Sequence, residues 1–282
     1  MSAVMRASQD AALLEQFCAL ESSCSSSRVL VVAAHPDDET IGLGARLTGL
    51  FDVMIVAVTD GAPPDDARVP PPFAGRDAYA EARREERRRA LAVAGLADAR
   101  VHELGIPDQH ASDDLIGLTA VVLEILRAAR PEVLVTHPYE GGHPDHDAAA
   151  FAAAAALTLL ARAGERVPTA VEMTSYHLGS DGIRTGDFLP QQAVQCGDFV
   201  LDAPRRARKR SMLDCFTSQR EMLSHFRCDR ERFRVAPLYE FSLPPHEGRL
   251  FYEHYAWGMA GSDWRARARE ALHALGLTAE AV

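Results

Sequence analysis

The chain predicts an α/β fold, a Rossmann-like and mostly parallel sheet flanked by helices, with its site at the carboxyl ends of the strands. Three observations predict it. Runs rich in Val, Ile, Leu and Ala at 29–34, 52–59 and 133–136 carry no charge beyond Asp52, as central strands buried on both faces do. Amphipathic stretches of helical period separate these runs, so strands and helices alternate over the first ~165 residues. Histidine- and aspartate-rich clusters follow directly on two of the strands.

Residues 1–27 read as an N-terminal helix and a linker, the linker marked by the serines from Ser22 to Ser27 around Cys24. The first strand, 29–34, leads into a helix over 41–50. The second, 52–59, ends at the turn signal Asp60-Gly61. A Pro- and Asp-rich stretch at 63–72 is a surface loop. An amphipathic helix over 78–94 stops at Gly95, a natural position for a left-handed residue. A strand at 99–104 and a helix over 115–129 follow, the helix stopped by Pro131. The strand at 133–136 feeds His137. Pro144 fits the first turn of the next helix, continued by the alanines of 148–163. Beyond these the pattern predicts strands at 171–177, 199–201 and 238–243, and helices over 205–226 and 264–275.

With 282 residues, 47% of them hydrophobic, the chain is long enough for one large α/β domain. The net charge of −10 argues against nucleic acid as a partner, since that binding rests on phosphate neutralisation. The five cysteines, at 18, 24, 196, 215 and 228, form no Cys-x-x-Cys and read as reduced thiols. No run approaches the ~18–20 apolar residues of a membrane span, and 1–27 lacks a signal-peptide apolar core. The expectation is a cytoplasmic protein without a membrane or nucleic-acid partner; a homo-oligomer is left open.

The chemistry lies in two clusters, Ala34-His35-Pro36-Asp37-Asp38-Glu39 and His143-Pro144-Asp145-His146. A catalytic zinc needs three N/O ligands and an open position for water. His35 and Asp38 from one tight turn, with His146 from another strand end, supply such a set. Zinc suits these donors, and ferrous iron or another divalent ion is compatible with them. Asp37, between two ligands, is the candidate general base. His143 is the candidate to donate a proton or polarise a carbonyl oxygen. Asp145 would hold an imidazole in one tautomer. Glu39 reads as a first-turn helix charge. The charge run of Arg84 to Arg89 reads as a solvated helix face, and the basic stretch 204–210 as a surface helix start. Tyr252, His254, Tyr255 and Trp257 form an aromatic cluster suited to sugar stacking or to core and lid packing. His137, Tyr139 and His177, at or near strand ends, are candidates to line the site.

These two motifs together resemble the LmbE-like (PIG-L) de-N-acetylases. Thr59-Asp60-Gly61, Arg83 with Glu86, and Leu104-Gly105-Ile106-Pro107-Asp108 extend the resemblance over about 28–160. It implies a zinc-dependent hydrolase that removes an acyl group, usually acetyl, from the nitrogen of an N-acetylglucosamine-like moiety. The partner would be a small-molecule or glycoconjugate amino sugar. By the same resemblance His35, Asp38 and His146 bind the metal, Asp37 is the base and His143 the electrophilic partner. Arg83 and Asp108 hold the sugar. Ser218-Gln219 and Glu231-Arg232-Phe233 are similar to a C-terminal signature that shapes the pocket. Where some members carry a tyrosine two residues before the second motif, this chain has Gly141; either Tyr139 replaces it as a substrate contact, or His143 and the metal alone hold the oxyanion. The expected organisation is one LmbE-like domain over 28–282, with 28–165 the metal-binding core and 166–282 completing the pocket. The alternatives are an amidase acting on a larger sugar-amide conjugate, and a metal-binding partner module without catalysis.

Overall fold

The computed structural model describes residues 3–19, 27–50, 52–190, 194 and 196–278. Most of the serine-rich linker, including Cys24, lies outside the described residues, and so do the side chains of 3–7. Helix α1 is Ala3–Cys18. The strands are β1 Arg28–Ala33, β2 Asp52–Thr59, β3 Arg100–Ile106, β4 Val133–Thr136, β5 Thr169–Met173, β6 Tyr176–Gly179, β7 Gly182–Thr185, β8 Cys196–Val200 and β9 Arg230–Val235. The other helices are α2 Asp38–Leu47, α3 Arg76–Val93, α4 Leu115–Ala129, α5 Pro144–Arg162, α6 Ala203–Leu213, α7 Arg220–Leu223 and α8 Gly261–Ala274.

Seven strands form one sheet in the order β3-β2-β1-β4-β5-β9-β8, and β6 with β7 forms a separate hairpin. The first five run parallel; β9 and β8 are antiparallel additions at one edge. From β1 the chain first builds outward through β2 and β3, then returns to place β4 on the other side of β1. The crevice between the carboxyl ends of β1 and β4 is therefore a topological switch point, where open parallel sheets bind their ligands.

The period-2 geometry of a strand explains the two cores. Leu30 and Val32 of β1 face one side, packed with Val122 and Leu126 of α4, the alanines of α5 and Trp264 of α8. Val29, Val31 and Ala33 face the other, packed with Leu43 and Leu47 of α2, Leu14 and Phe17 of α1 and Met212 of α6.

Helix α2 breaks at Leu43, whose φ of −142° is not helical. The break frees backbone groups that must be paired when buried. The Glu231 carboxylate accepts from the amides of Ala45 (2.7 Å) and Arg46 (3.0 Å). Lys209 donates to the Ile41 carbonyl (2.7 Å) and to Glu231 (2.7 Å). Lys209 is thus a buried structural cation rather than part of a surface helix start.

The C-terminal third departs most from the sequence reading. The strand expected over 171–177 is two, β5 and β6, separated at Thr174-Ser175. The helix expected over 205–226 ends at Leu213, because Glu86 of α3 accepts from the Thr217 hydroxyl (2.7 Å) and from the Ser218 amide (2.9 Å) and hydroxyl (2.5 Å). Residues 238–243 are not a strand: Tyr239 and Phe241 still turn into the core, but the segment pairs with no neighbour and lies between Pro237 and Pro244. Strand β9 was not foreseen. Among the described residues no helix is long and apolar enough to cross a membrane.

Candidate metal centre

The two motifs meet at the switch point. The turn after β1 carries His35, Asp37 and Asp38; the N-terminus of α5 carries His143, Asp145 and His146. Three donors converge there. His35 Nδ1 lies 3.2 Å from Asp38 Oδ2 and 3.2 Å from His146 Nε2, and His146 Nε2 lies 3.3 Å from Asp38 Oδ1. Ligands held at ~2.0–2.1 Å around a tetrahedral ion stand about 3.3 Å apart, so this spacing fits a metal of zinc's size.

The tautomers fit as well. His35 Nε2 faces Asp108 Oδ1 (3.0 Å) and Asp145 Oδ2 (3.3 Å), so its proton belongs there and the Nδ1 lone pair turns inward. His146 Nδ1 faces Ser175 Oγ (3.4 Å), leaving Nε2 free as a donor to the ion. Acceptors on the far nitrogen orient metal-ligating imidazoles in this way. Asp145 is itself clamped by the amides of Gln109 (2.6 Å) and Ala111 (2.9 Å). It therefore orients His35, which it meets more closely than His143. His137 underlies the trio: its ring stacks on His146 with centroids 4.1 Å apart, and its Nε2 accepts from the Ala34 amide (3.0 Å).

Asp37 is buried outside the trio, with Oδ2 3.1 Å from Arg83 Nη2. Burial pushes its carboxyl up to about 6, although the Arg83 guanidinium pulls the other way. His143 caps α5; its Nδ1 accepts from the Asp145 amide (3.2 Å), so a neutral ring carries its proton on Nε2. Burial, reinforced by the neighbouring His35, keeps this ring well below the ordinary histidine range. The loop before it is held by Asp147, whose carboxylate accepts from the amides of Glu140 (3.3 Å) and Gly141 (3.1 Å).

The trio opens into a cavity of about 600 Å³ that Arg83, Asp108, Asp37 and His143 also line. Tyr139 is not there and is corrected: its ring packs with Trp264, Phe241 and Tyr239, and its hydroxyl donates to the Leu243 carbonyl (2.9 Å). His177 also lies away from the cavity. In the charge run of α3, Arg84 and Arg88 are solvated, whereas Glu86 and Arg87 are buried. Within the aromatic cluster Tyr252 is core, while Tyr255 and Trp257 line the cavity. Sequence reasoning missed Ser175 and Tyr176. Tyr176 packs edge-on against His146, with centroids 5.2 Å apart. The aromatic and serine just past β5 were the only signal.

Fold and site together define an α/β protein with three buried donors at the switch point of its sheet that could hold a metal ion. Residues 30–157 match the family described as PIG-L: GlcNAc-PI de-N-acetylase. Over that segment the chain is similar to the PIG-L (LmbE-like) family. It is 31% identical over 186 residues to 1D-myo-inositol 2-acetamido-2-deoxy-alpha-D-glucopyranoside deacetylase of Kineococcus radiotolerans, covering 54% of this chain and 50% of that protein. To deacetylase 2 of the same name from Saccharopolyspora erythraea it is 35% identical over 156 residues, covering 45% and 55%. The chain spans about half the length of the curated relatives it matches. Among solved structures, a deacetylase in the biosynthesis pathway of teicoplanin shares the fold, with a TM-score of 0.53 and 18% identity over 74% of this chain and 97% of that one.

Proposed function

We propose that the protein is a zinc-dependent hydrolase that removes an N-acyl group from the nitrogen of an N-acetylglucosamine-like amino sugar, releasing a carboxylate and a free amine. The observation that carries this reading is the convergence of His35, Asp38 and His146 at 3.2–3.3 Å beside the separate carboxylate of Asp37. The deacetylase names of the PIG-L relatives supply the reaction class.

His35, Asp38 and His146 would hold the ion. When bound, it supplies Lewis acidity toward a water and the amide carbonyl oxygen. Asp37 takes the proton from the attacking water; Arg83 fixes one of its oxygens and leaves the other to act. His143 Nε2–H donates to the carbonyl oxygen as negative charge develops on it. Asp37 then passes the proton to the departing amine. Asp145 and Asp108 hold His35 in its ligating tautomer, and Arg83 and Asp108 present polar groups to the sugar. An intact Asp37 and His143 favour catalysis over a silent metal-binding module. The thiols of Cys196, Cys215 and Cys228 support a reducing, cytoplasmic setting.

The test is release of amine and acetate from a panel of N-acetylglucosaminides, comparing zinc-loaded, metal-stripped and Asp38→Asn protein. Release confined to the loaded wild type is expected. No amine from any N-acyl amino sugar at stoichiometric zinc would overturn the reading.

A further inference from the structure

One wall of the cavity is aromatic. Tyr176 meets His146 at 5.2 Å between ring centroids, Phe251 meets Tyr176 at 5.4 Å, and Tyr255 meets Phe251 at 5.3 Å. Tyr255 stacks on Trp257 at 4.8 Å and 15°, and Trp257 reaches His143 at 4.8 Å. Phe226 backs Tyr176 at 6.2 Å. The rings form an unbroken arc from a metal-trio histidine to the histidine that would face the carbonyl oxygen. All five line the cavity, so they enclose space rather than close on one another. At the mouth Tyr255 is 47% exposed, while Phe226 and Phe251 are only 6% and 8% exposed.

The same cavity also has a polar lining, with Arg68, Tyr79, Arg83, Asp108, Gln109 and Gln219. A sugar carries hydroxyls that lose hydrogen bonds to water on binding and need polar partners in the site. The polar lining meets that need and the ring arc does not. With the amide carbon at the metal trio, a sugar seated on the polar lining would turn its acyl group toward the ring arc. An acetyl methyl leaves most of the arc uncovered; a volume of about 600 Å³ falls in the ~300–1,000 Å³ range of drug-sized ligands.

Resting on the N-deacylase reading above, we infer that the aromatic arc is an acyl subsite and that the preferred substrates are amino sugars N-acylated with a medium-chain aliphatic or aryl group. The acyl group leaves as its carboxylate, water supplying the oxygen, and the nitrogen gains the proton.

The experiment compares N-acetylglucosamine, N-octanoylglucosamine and octyl N-acetylglucosaminide, which carries the same chain on the other end of the sugar. Zinc-loaded wild type should release amine from the N-octanoyl compound with a kcat/KM at least ~10-fold above that for N-acetylglucosamine. Tyr255→Ala, at an exposed position that tolerates truncation, should shrink that ratio. Binding gives a second readout. Trp264 is fully buried, so fluorescence changes report Trp257; N-octanoylglucosamine should quench it at concentrations where N-acetylglucosamine does not. Preference for the N-acetyl compound, or for the octyl glycoside, overturns the acyl subsite and leaves the deacetylase reading standing. Amine release from none of the three overturns the N-deacylase reading and this inference with it.

Discussion

Replacing Asp37 by Asn separates its role from that of its neighbour Asp38. Asp37 contributes no atom to the converging trio, so an Asn variant should load zinc as the wild type does. The substitution keeps the size of the group and an oxygen for Arg83, but removes the site that accepts a proton. Burial pushes this carboxyl up to about 6, making it a stronger base than a solvated aspartate. General-base catalysis is worth ~10²–10⁴ in rate, about 2.7–5.4 kcal/mol of activation free energy at 1.36 kcal/mol per decade. Arg83, only 3% exposed, would lose its paired charge but keep the Pro36 carbonyl at 3.2 Å, so a modest fall in Tm accompanies the loss. The assay is kcat on the best N-acyl amino sugar, with zinc content by mass spectrometry and Tm on the same preparation. Turnover within tenfold of wild type at full zinc loading would refute Asp37 as the base. Loss of zinc together with turnover would refute the assigned trio.

Two further outcomes concern the scaffold. Arg234 lies between Glu140 (3.2 Å) and Glu172 (2.6 Å), all three buried, so one cation faces two carboxylates. Burial, opposed by Arg234, pushes Glu140 up to about 8 and Glu172 up to about 7. Both folded values lie above the ordinary carboxylate range, so their contribution to stability is full below about pH 4.5 and is lost as pH rises through 7–8. Urea unfolding at about pH 5.5 and 8.5 should show wild type losing up to ~1.4 kcal/mol per pH unit per proton, with Glu140→Gln losing less. An identical pH slope in the two proteins would count against the raised Glu140 carboxyl. Gly141→Tyr should destabilise by ~1–3 kcal/mol. Its φ is +68°, and a Cβ there would stand 2.7 Å from Leu250 Cδ2. Equilibrium unfolding of this variant at wild-type stability would remove that account of the glycine.

The central sheet was legible because its strands need nothing but themselves and apolar cover. Val29 to Ala33 and Val133 to Val135 are buried on both faces, and the sequence says so without reference to any distant partner. Strand β9 obeys a different rule. Its arginines, Arg230, Arg232 and Arg234, look like a solvated segment, yet Arg234 is buried against Glu172 and Glu140, and Arg232 pairs with Asp198 across the edge. Such strands are made apolar in effect by charges that come from elsewhere in the chain. The broken helix after Leu213 has the same origin. Nothing local stops it; the Glu86 carboxylate, more than a hundred residues away, does.

The candidate site divides along the same line. His35, Asp37, Asp38, His143 and His146 could be named from the sequence because each belongs to a dense local motif at a strand end. Of the groups that aim them, Asp145 could be named for that role because it sits in the second motif, whereas Asp108 could be named only as a sugar contact and Ser175 not at all, because those two act across space on one atom at a time. Asp108 comes from the end of β3, Asp145 from α5 and Ser175 from the junction of β5 and β6; together they take the far nitrogens of His35 and His146 and turn two lone pairs toward Asp38. Tyr139 was the natural guess for a site tyrosine by proximity in sequence, but β4 delivers it into the α8 core and the β5–β6 junction brings Tyr176 to the cavity instead. The switch point makes both outcomes follow from one cause. A crevice between β1 and β4 gathers whatever leaves the carboxyl ends of several parallel strands. Its ligands can sit in two compact motifs, while the residues that aim them come from the end of β3, from α5 and from the β5–β6 junction.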